Sequence, residues 1–220
     1  MVKSQTIPIT KEEMDKLIGA SMDNDFLYMF FMVAKTTGRR IGEYYGTPEK
    51  KYVSEKVVGR TRDGKQKIRK MFSNTGKFIG GVRVKDIKVD DDGTKLMSTQ
   101  VLKRKTRIEK DAILSEEVFR LISNYVKRNK MNLEDYLFRR YGYRHLQRLI
   151  KSYGKKAGIT HNITIHNFRH YFVTELLKKG WHYDKISKLT GHSTPQTLIH
   201  YDHVVAKDIK NDALEAIKDL

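Results

Sequence analysis

The side chains best suited to chemistry in this sequence are arginines, histidines, lysines and tyrosines. Cysteine is absent, and with it disulfides, thiolate metal sites and thiol nucleophiles. The candidates fall in short groups: Arg39-Arg40 followed by Glu43, the run Lys103-Arg104-Lys105 with Arg107, then His166, Arg169 and His170, His192 after Gly191, and Tyr201. Guanidinium groups neutralise phosphate oxygens through paired planar hydrogen bonds, imidazoles move protons near neutral pH, and a phenol oxygen is a nucleophile once its proton is taken. Singly, each has an ordinary explanation. His166 and Arg169 at i and i+3 form a common helix-surface pair, His192 suits a helix end, Tyr201 suits a core or an interface, and Arg39 and Arg40 suit a solvated loop.

Charge gives the group a direction. Lys and Arg number 44 against 26 Asp and Glu, a formal excess of +18 spread along the chain, so the expected partner is a polyanion. No stretch approaches the roughly 18 apolar residues of a membrane span, and the N-terminus lacks a signal-peptide pattern. The expectation is no membrane association and a cytoplasmic, nucleoid-associated protein. A chain of 220 residues suits a single domain, and its few prolines and high charge suit a hyperthermophile.

The elements that must position these residues are readable from caps and periodicity. Thr10 to Ala20 reads as a helix with Met14, Leu17 and Ile18 on its apolar stripe, and Asp25 to Thr36 as an almost wholly apolar core helix stopping near Gly38. Between Lys51 and Leu114 the pattern is strand-like, at 52–58, 67–72, 82–89, 96–102 and 108–114, with hairpin turns at Asp63-Gly64 and Asp92-Gly93. The last two strands meet at the basic tip Lys103 to Arg107. Helices return at 115–128 and 143–157. Thr164 caps another that runs to Lys179, with Phe168, Phe172 and Leu176 on its buried side and His166, Arg169 and His170 in its first two turns. A short helix at 184–190 stops at Gly191, Thr194-Pro195 opens a helix carrying Tyr201, and the tail 206–220 has Ile209, Ala213, Leu214 and Ile217 at helical spacing.

Taken in order, four of these groups resemble the boxes of the tyrosine recombinase family. Thr37-Gly38-Arg39-Arg40-Ile41-Gly42-Glu43 resembles the first box, whose catalytic arginine follows the glycine by two. Thr164-Ile165-His166-Asn167-Phe168-Arg169-His170 resembles the His-x-x-Arg box. Leu189-Thr190-Gly191-His192-Ser193 resembles the Leu-Gly-His-Ser turn with a threonine inserted, and Tyr201-Asp202-His203 follows His192 at the family's spacing. The resemblance runs from about Thr10 to the C-terminus. It implies an α+β, mainly helical catalytic-domain fold with a small antiparallel sheet, and recombination or integration of double-stranded DNA through a 3′-phosphotyrosine.

The resemblance also assigns expected roles. Arg40 and Arg169 clamp the phosphate, His192 hydrogen-bonds one of its oxygens, His166 helps to deprotonate or orient the tyrosine, and Tyr201 attacks. Lys105, with Lys103 as alternate, is expected to give a proton to the leaving 5′ oxygen. Glu43 buttresses Arg40, His170 packs behind the site, and Trp181 is read as core. No cofactor or metal is expected, because arginines and histidines hold the charge that magnesium would otherwise hold. Two further readings of this residue set are a type IB topoisomerase and a catalytically silent DNA-binding protein; the compact C-terminal spacing disfavours the first and the intact residue set the second.

Two departures from the family pattern carry expectations of their own. Relatives usually have an N-terminal helical domain that closes over the DNA from the opposite side, and residues 1–220 read as the catalytic domain without it. Between Glu43 and Val82 an insertion, residues 47–80, is strongly basic and reads as an added β-hairpin tracking the DNA backbone. DNA contacts are therefore expected at Arg60, Arg62, Lys65 and Lys67 on the insertion and at Arg39, Lys103, Arg104 and Arg107. The tail 206–220 is expected to dock on its own core or on a neighbour in a homo-oligomer, a tetramer on DNA and a monomer or weak dimer when free.

Overall fold

The computed structural model describes residues 7–103, 106–191 and 198; at 50, 74, 76, 77, 101–103 and 106–108 it describes the backbone alone. Helix α1 (Lys11–Ala20) starts at a reciprocal cap, with Thr10 accepting from the Glu13 amide and Glu13 accepting from the Thr10 amide. It buries Met14, Leu17 and Ile18. Helix α2 (Asp25–Thr37), capped by Asn24, is the centre of the core: Phe26, Leu27, Met29, Phe30, Phe31, Val33 and Ala34 are all buried. Full burial of side chains of this size contributes about 1.5–3 kcal/mol each. The Phe30 ring meets those of Tyr44 and Phe138 edge-on, each at 5.6 Å.

After the short helix α3 (Ile41–Tyr45) the chain forms two separate antiparallel sheets. The first is a two-stranded ribbon, β1 (Thr47–Arg60) and β2 (Gln66–Ile79). The second has three strands in sequence order, β3 (Ile87–Val89), β4 (Lys95–Lys103) and β5 (Thr106–Leu114). Both Asp-Gly turns close in the same way, with Thr61 donating to the Lys65 carbonyl and Asp90 to the Thr94 carbonyl, each at 2.8 Å, so each loop is one residue longer than the tightest hairpin turn. The strand expected at 82–89 survives only in its last three residues. Asp86 accepts from the Arg83 amide at 2.7 Å and folds Val84–Asp86 into a 3-10 turn.

The remaining helices are α4 (Glu116–Arg128), α5 (Tyr143–Lys156), α6 (Ile165–Lys178) and α7 (Tyr183–Thr190). Helix α2 packs against α4, α6 and β5. The buried side of α6 differs from the expected stripe. Phe168 is buried, but Phe172 and Leu176 are half-buried, and Tyr171, Val173 and Leu177 complete the buried face. Trp181 is not core. It follows the left-handed stop at Gly180, where the chain turns outward, and is 43% exposed. The helix expected after Thr194-Pro195 and the tail 206–220 lie outside the described residues, apart from Leu198, which is buried against Val173, Leu177 and Ile186.

Candidate active site

Three helix ends meet at one place: the C-terminus of α2 with the start of α3, the first turns of α6, and the C-terminus of α7. Gly38 ends α2 in the left-handed conformation, with φ of 56°, and the extended residues after it send Arg39 and Arg40 in different directions.

Arg39 goes inward. It is 2% exposed, and its Nη2 donates to the backbone carbonyl of Asp111 at 2.5 Å and of Lys110 at 3.4 Å, both on β5. Burial lowers its pKa, opposed by the charges of Glu43, Tyr44 and Asp111. This corrects the expectation of a DNA contact at Arg39: a guanidinium enclosed by protein and spent on strand carbonyls ties the loop to β5 and does not reach a phosphate. The Tyr44 hydroxyl accepts from the Arg39 amide at 3.1 Å and lies 2.7 Å from the Thr37 hydroxyl, so the same loop is also held from α3.

Arg40 stays at the surface, its side chain 36% exposed. Its Nη1 donates to Glu43 Oε1 at 3.3 Å and to the carbonyl of Gly191 at 3.2 Å. Glu43, itself buried, accepts from the Arg40 amide through Oε2 at 3.0 Å, so one carboxylate caps α3 and holds the guanidinium. Gly191 is the left-handed stop of α7 and the residue before His192. Arg40 thus joins the first and third sequence groups directly.

Helix α6 brings the second group. Thr164 and Asn167 fix its start, the Thr164 amide donating to Asn167 Oδ1 at 2.9 Å. Arg169 is 1% exposed, and its Nη1 donates to the Gly38 carbonyl at 2.9 Å, which locks α6 against the loop carrying Arg40. The rings of His166 and His170 meet edge-on with centroids 4.5 Å apart. His166 presents a face to solvent. Partial withdrawal from water lowers its pKa, and the cations Arg169 and Arg40 lower it further. His170 lies deeper, and burial, followed by His166 and Arg169, depresses its pKa to about 4. Both shifts favour the neutral imidazole, the form in which a histidine accepts a proton.

Of the expected site residues, the structure brings together Arg40, Glu43, His166 and Arg169, with His170 behind them. His192, Tyr201, Arg104 and Lys105 lie outside the described residues, as do the side chains of Lys103 and Arg107, whose backbones end β4 and begin β5. Arg60, Arg62, Lys65 and Lys67 are exposed, on the β1–β2 ribbon and its loop. Sequence reasoning missed the acceptors at Gly38 and Gly191. The signal was present, because a glycine stop frees carbonyls at a helix C-terminus, and both glycines were legible as stops.

Comparison with known proteins agrees with this geometry. Residues 78–208 match the sequence profile of the phage integrase family. The tyrosine recombinase XerA of Saccharolobus solfataricus is 32% identical over 167 residues, covering 74% of this chain and 54% of that protein. A tyrosine recombinase of Pseudothermotoga lettingae is 29% identical over 146 residues, 64% of this chain and 51% of the relative. The chain therefore spans about half the length of these relatives. A crystal structure of XerA recombinase superposes with a TM-score of 0.66 at 22% identity, over 97% of this chain and 65% of that one. The XerH recombinase bound to its difH substrate before cleavage gives 0.63 at 14% identity, over 93% and 52%. These two show a shared fold. The profile match begins at residue 78, in the last two residues of β2 and after Arg40, so the pairing of Arg40 with the α6 residues rests on their contacts in the structure.

Proposed function

The chain belongs to the phage integrase family, and from that premise we propose that it is the DNA-breaking and rejoining part of a tyrosine-type site-specific recombinase. The observation that carries this reading is the guanidinium of Arg40 bonded both to Glu43 and to the carbonyl before His192, beside the start of α6. Three groups far apart in sequence meet at one point with the charge to hold a phosphate.

In this reading Tyr201 Oη attacks a phosphodiester phosphorus of double-stranded DNA, with His166 accepting or orienting the phenolic proton. The bond from phosphorus to the 5′ oxygen breaks, that oxygen takes a proton from Lys105 or Lys103, and the 3′ phosphate remains esterified to the tyrosine. Attack of a second strand's 5′-hydroxyl reverses the step and releases the enzyme. Arg40, at the surface, and His192 meet the oxygens of the five-coordinate state, and Arg169, buried behind the Gly38 loop, adds its charge to the same clamp, a charge-stabilising role that guanidinium groups fill without a metal or cofactor. Four copies assemble on two DNA sites, inside the cell. The difH complexes of XerH support double-stranded DNA as the substrate class.

The test is incubation of the protein and of Tyr201→Phe with a nicked duplex whose cleaved end diffuses away, followed by denaturing electrophoresis. A covalent band lost in the variant is the expected result. No band on DNA that the protein binds would overturn the reading, and relaxation of supercoiled DNA with no preferred site would convert it to a topoisomerase.

A further inference from the structure

The β1–β2 ribbon has a fixed root and two unlike faces. At the root, Arg139 donates through Nε to the Tyr45 carbonyl at 2.9 Å and through Nη2 to the Gly80 carbonyl at 3.1 Å. Its guanidinium lies over the rings of Tyr136 and Phe78, 3.3 and 4.3 Å from their centroids. The two ends of the ribbon cross so closely there that a Cβ on Gly46 would stand 2.4 Å from the Gly80 carbonyl oxygen, and both Gly46 and Gly81 have positive φ. From Lys51 to Ser73 every side chain is exposed. Strands of 14 residues reach about 40 Å from such a root. The root also lies one short helix from Arg40, so the arm leaves the body next to the candidate active site.

Side chains alternate between faces along a strand, and paired residues share a face. On β2, Lys67, Arg69, Met71 and Ser73 share one face, and their partners on β1 are Gly59, Lys56, Ser54 and Lys51. Over this stretch the face carries four cations and no anion; nearer the root the Glu49 carboxylate accepts from the Thr75 hydroxyl at 2.8 Å. The other face carries Gln66, Ile68, Lys70 and Phe72 opposite Arg60, Val57, Glu55 and Tyr52. The Tyr52 and Phe72 rings meet edge-on at 6.0 Å, and with the exposed Val57 and Ile68 they make this second face the more apolar of the two. The bulges between Tyr52 and Ser54 and between Val57 and Gly59 sit on β1, which keeps the β2 alternation intact while adding twist.

We infer that the arm binds the backbone of double-stranded DNA through one face only, the face of Lys51, Lys56, Lys67 and Arg69. This rests on the proposal that the protein acts on DNA and adds which side of the arm meets it. The four cations extend over about 20 Å of strand. Duplex DNA carries one phosphate per strand for roughly every 3.4 Å of helix axis, so the row is long enough to meet several phosphates. Of the sequence-expected contacts, Lys67 lies on the binding face and Arg60 on the opposite one.

Two double variants with the same loss of charge test the face. Lys56→Ala with Arg69→Ala removes two cations from the basic face; Arg60→Ala with Lys70→Ala removes two from the other. Affinity for a mixed-sequence duplex is measured across a range of salt concentrations, with thermal melting to show that both variants stay folded. The expected result is that the slope of log affinity against log salt falls by about 2 in the first variant and by less than half of that in the second. Equal falls in both, or no fall in the first, overturn the inference. The nicked-duplex assay on the unaltered protein keeps the two readings apart. A covalent band together with equal slopes removes the face assignment alone, and unequal slopes without a band remove the recombinase reading alone.

Discussion

The Nη1 of Arg40 sits 3.3 Å from Glu43 Oε1 and 3.2 Å from the carbonyl of Gly191, so one surface guanidinium holds the turn before His192 in place. A lysine there keeps the charge but loses the planar fork, and cannot bond Glu43, Gly191 and a phosphate together. Arg40→Lys is expected to slow covalent adduct formation on nicked DNA by roughly 10²–10³, the cost of removing one aimed donor from a developing anion. Because the side chain is partly exposed, its melting temperature stays close to that of the parent.

Glu43 acts differently. Its buried carboxylate accepts from both the Arg40 amide and the Arg40 guanidinium. Glu43→Ala leaves a helix-start amide without its acceptor and an arginine without its holder, which costs about 1–3 kcal/mol of stability. Glu43→Gln restores an acceptor for the amide and recovers most of that loss, while adduct formation stays slow because the neutral amide orients Arg40 weakly. Denaturant titration and single-turnover cleavage of the two variants separate these effects; equal stability of parent and Glu43→Ala would remove the capping role.

Arg39 yields a prediction of the opposite kind. Its Nε and Nη1 are buried with no acceptor among the described residues, while Nη2 serves two β5 carbonyls. An apolar side chain of similar length removes the desolvation of this incompletely matched charge but leaves the β5 carbonyls one donor short, two effects of opposite sign that nearly cancel. Arg39→Met is expected to change stability by no more than about 1 kcal/mol and to leave DNA affinity and its salt slope unchanged. A lower slope would restore Arg39 to the DNA-binding surface.

The contrast between Arg39 and Arg40 marks the boundary of what the sequence discloses. Helix ends were legible because Thr10, Thr164, Gly38 and Gly191 act locally, through a hydroxyl or a left-handed backbone that needs no distant partner. The core face of α2 was legible because nearly every residue in it is apolar. Which of two adjacent arginines points inward was not, since that depends on β5, some seventy positions away. Trp181 was misread for a related reason: apolar size favours burial, but the turn at Gly180 decides its direction. The ribbon's strands were found at their alternating centres, while their full length depends on a root built by Arg139, Gly46 and Gly81.

Acid should weaken the fold through His170. Its pKa is about 4 in the folded chain against an ordinary value near 6.5, so the unfolded chain binds the proton more readily. The stabilising contribution of the neutral ring is therefore complete above pH 6.5 and is lost as pH falls toward 4. His166, shifted in the same direction, adds to it. Denaturant midpoints of the parent at pH 7 and pH 4.5 should differ more than those of His170→Asn, by up to a few kcal/mol in stability. Parallel losses in the two proteins would place the acid sensitivity elsewhere.

Gly38 joins backbone strain to the site. Its φ of 56° disfavours any side chain, and a Cβ would stand 2.4 Å from Cδ1 of Phe172 on α6, inside any real contact. Gly38 also presents the carbonyl that Arg169 holds and immediately precedes Arg39 and Arg40. Gly38→Ala must push α6 away from the loop or turn the loop itself, and either movement separates Arg169 from Arg40. The variant is expected to lose roughly 2–4 kcal/mol of stability, as overpacking and a strained left-handed residue combine. Adding Phe172→Ala removes the clash but not the strained φ, so the double variant should regain part of the stability that Gly38→Ala loses beyond the cost of Phe172→Ala alone. Strict additivity of the two substitutions would mean that the ring and the glycine do not meet in solution, and that the α2 stop is held by the Arg169 bond without the Phe172 contact.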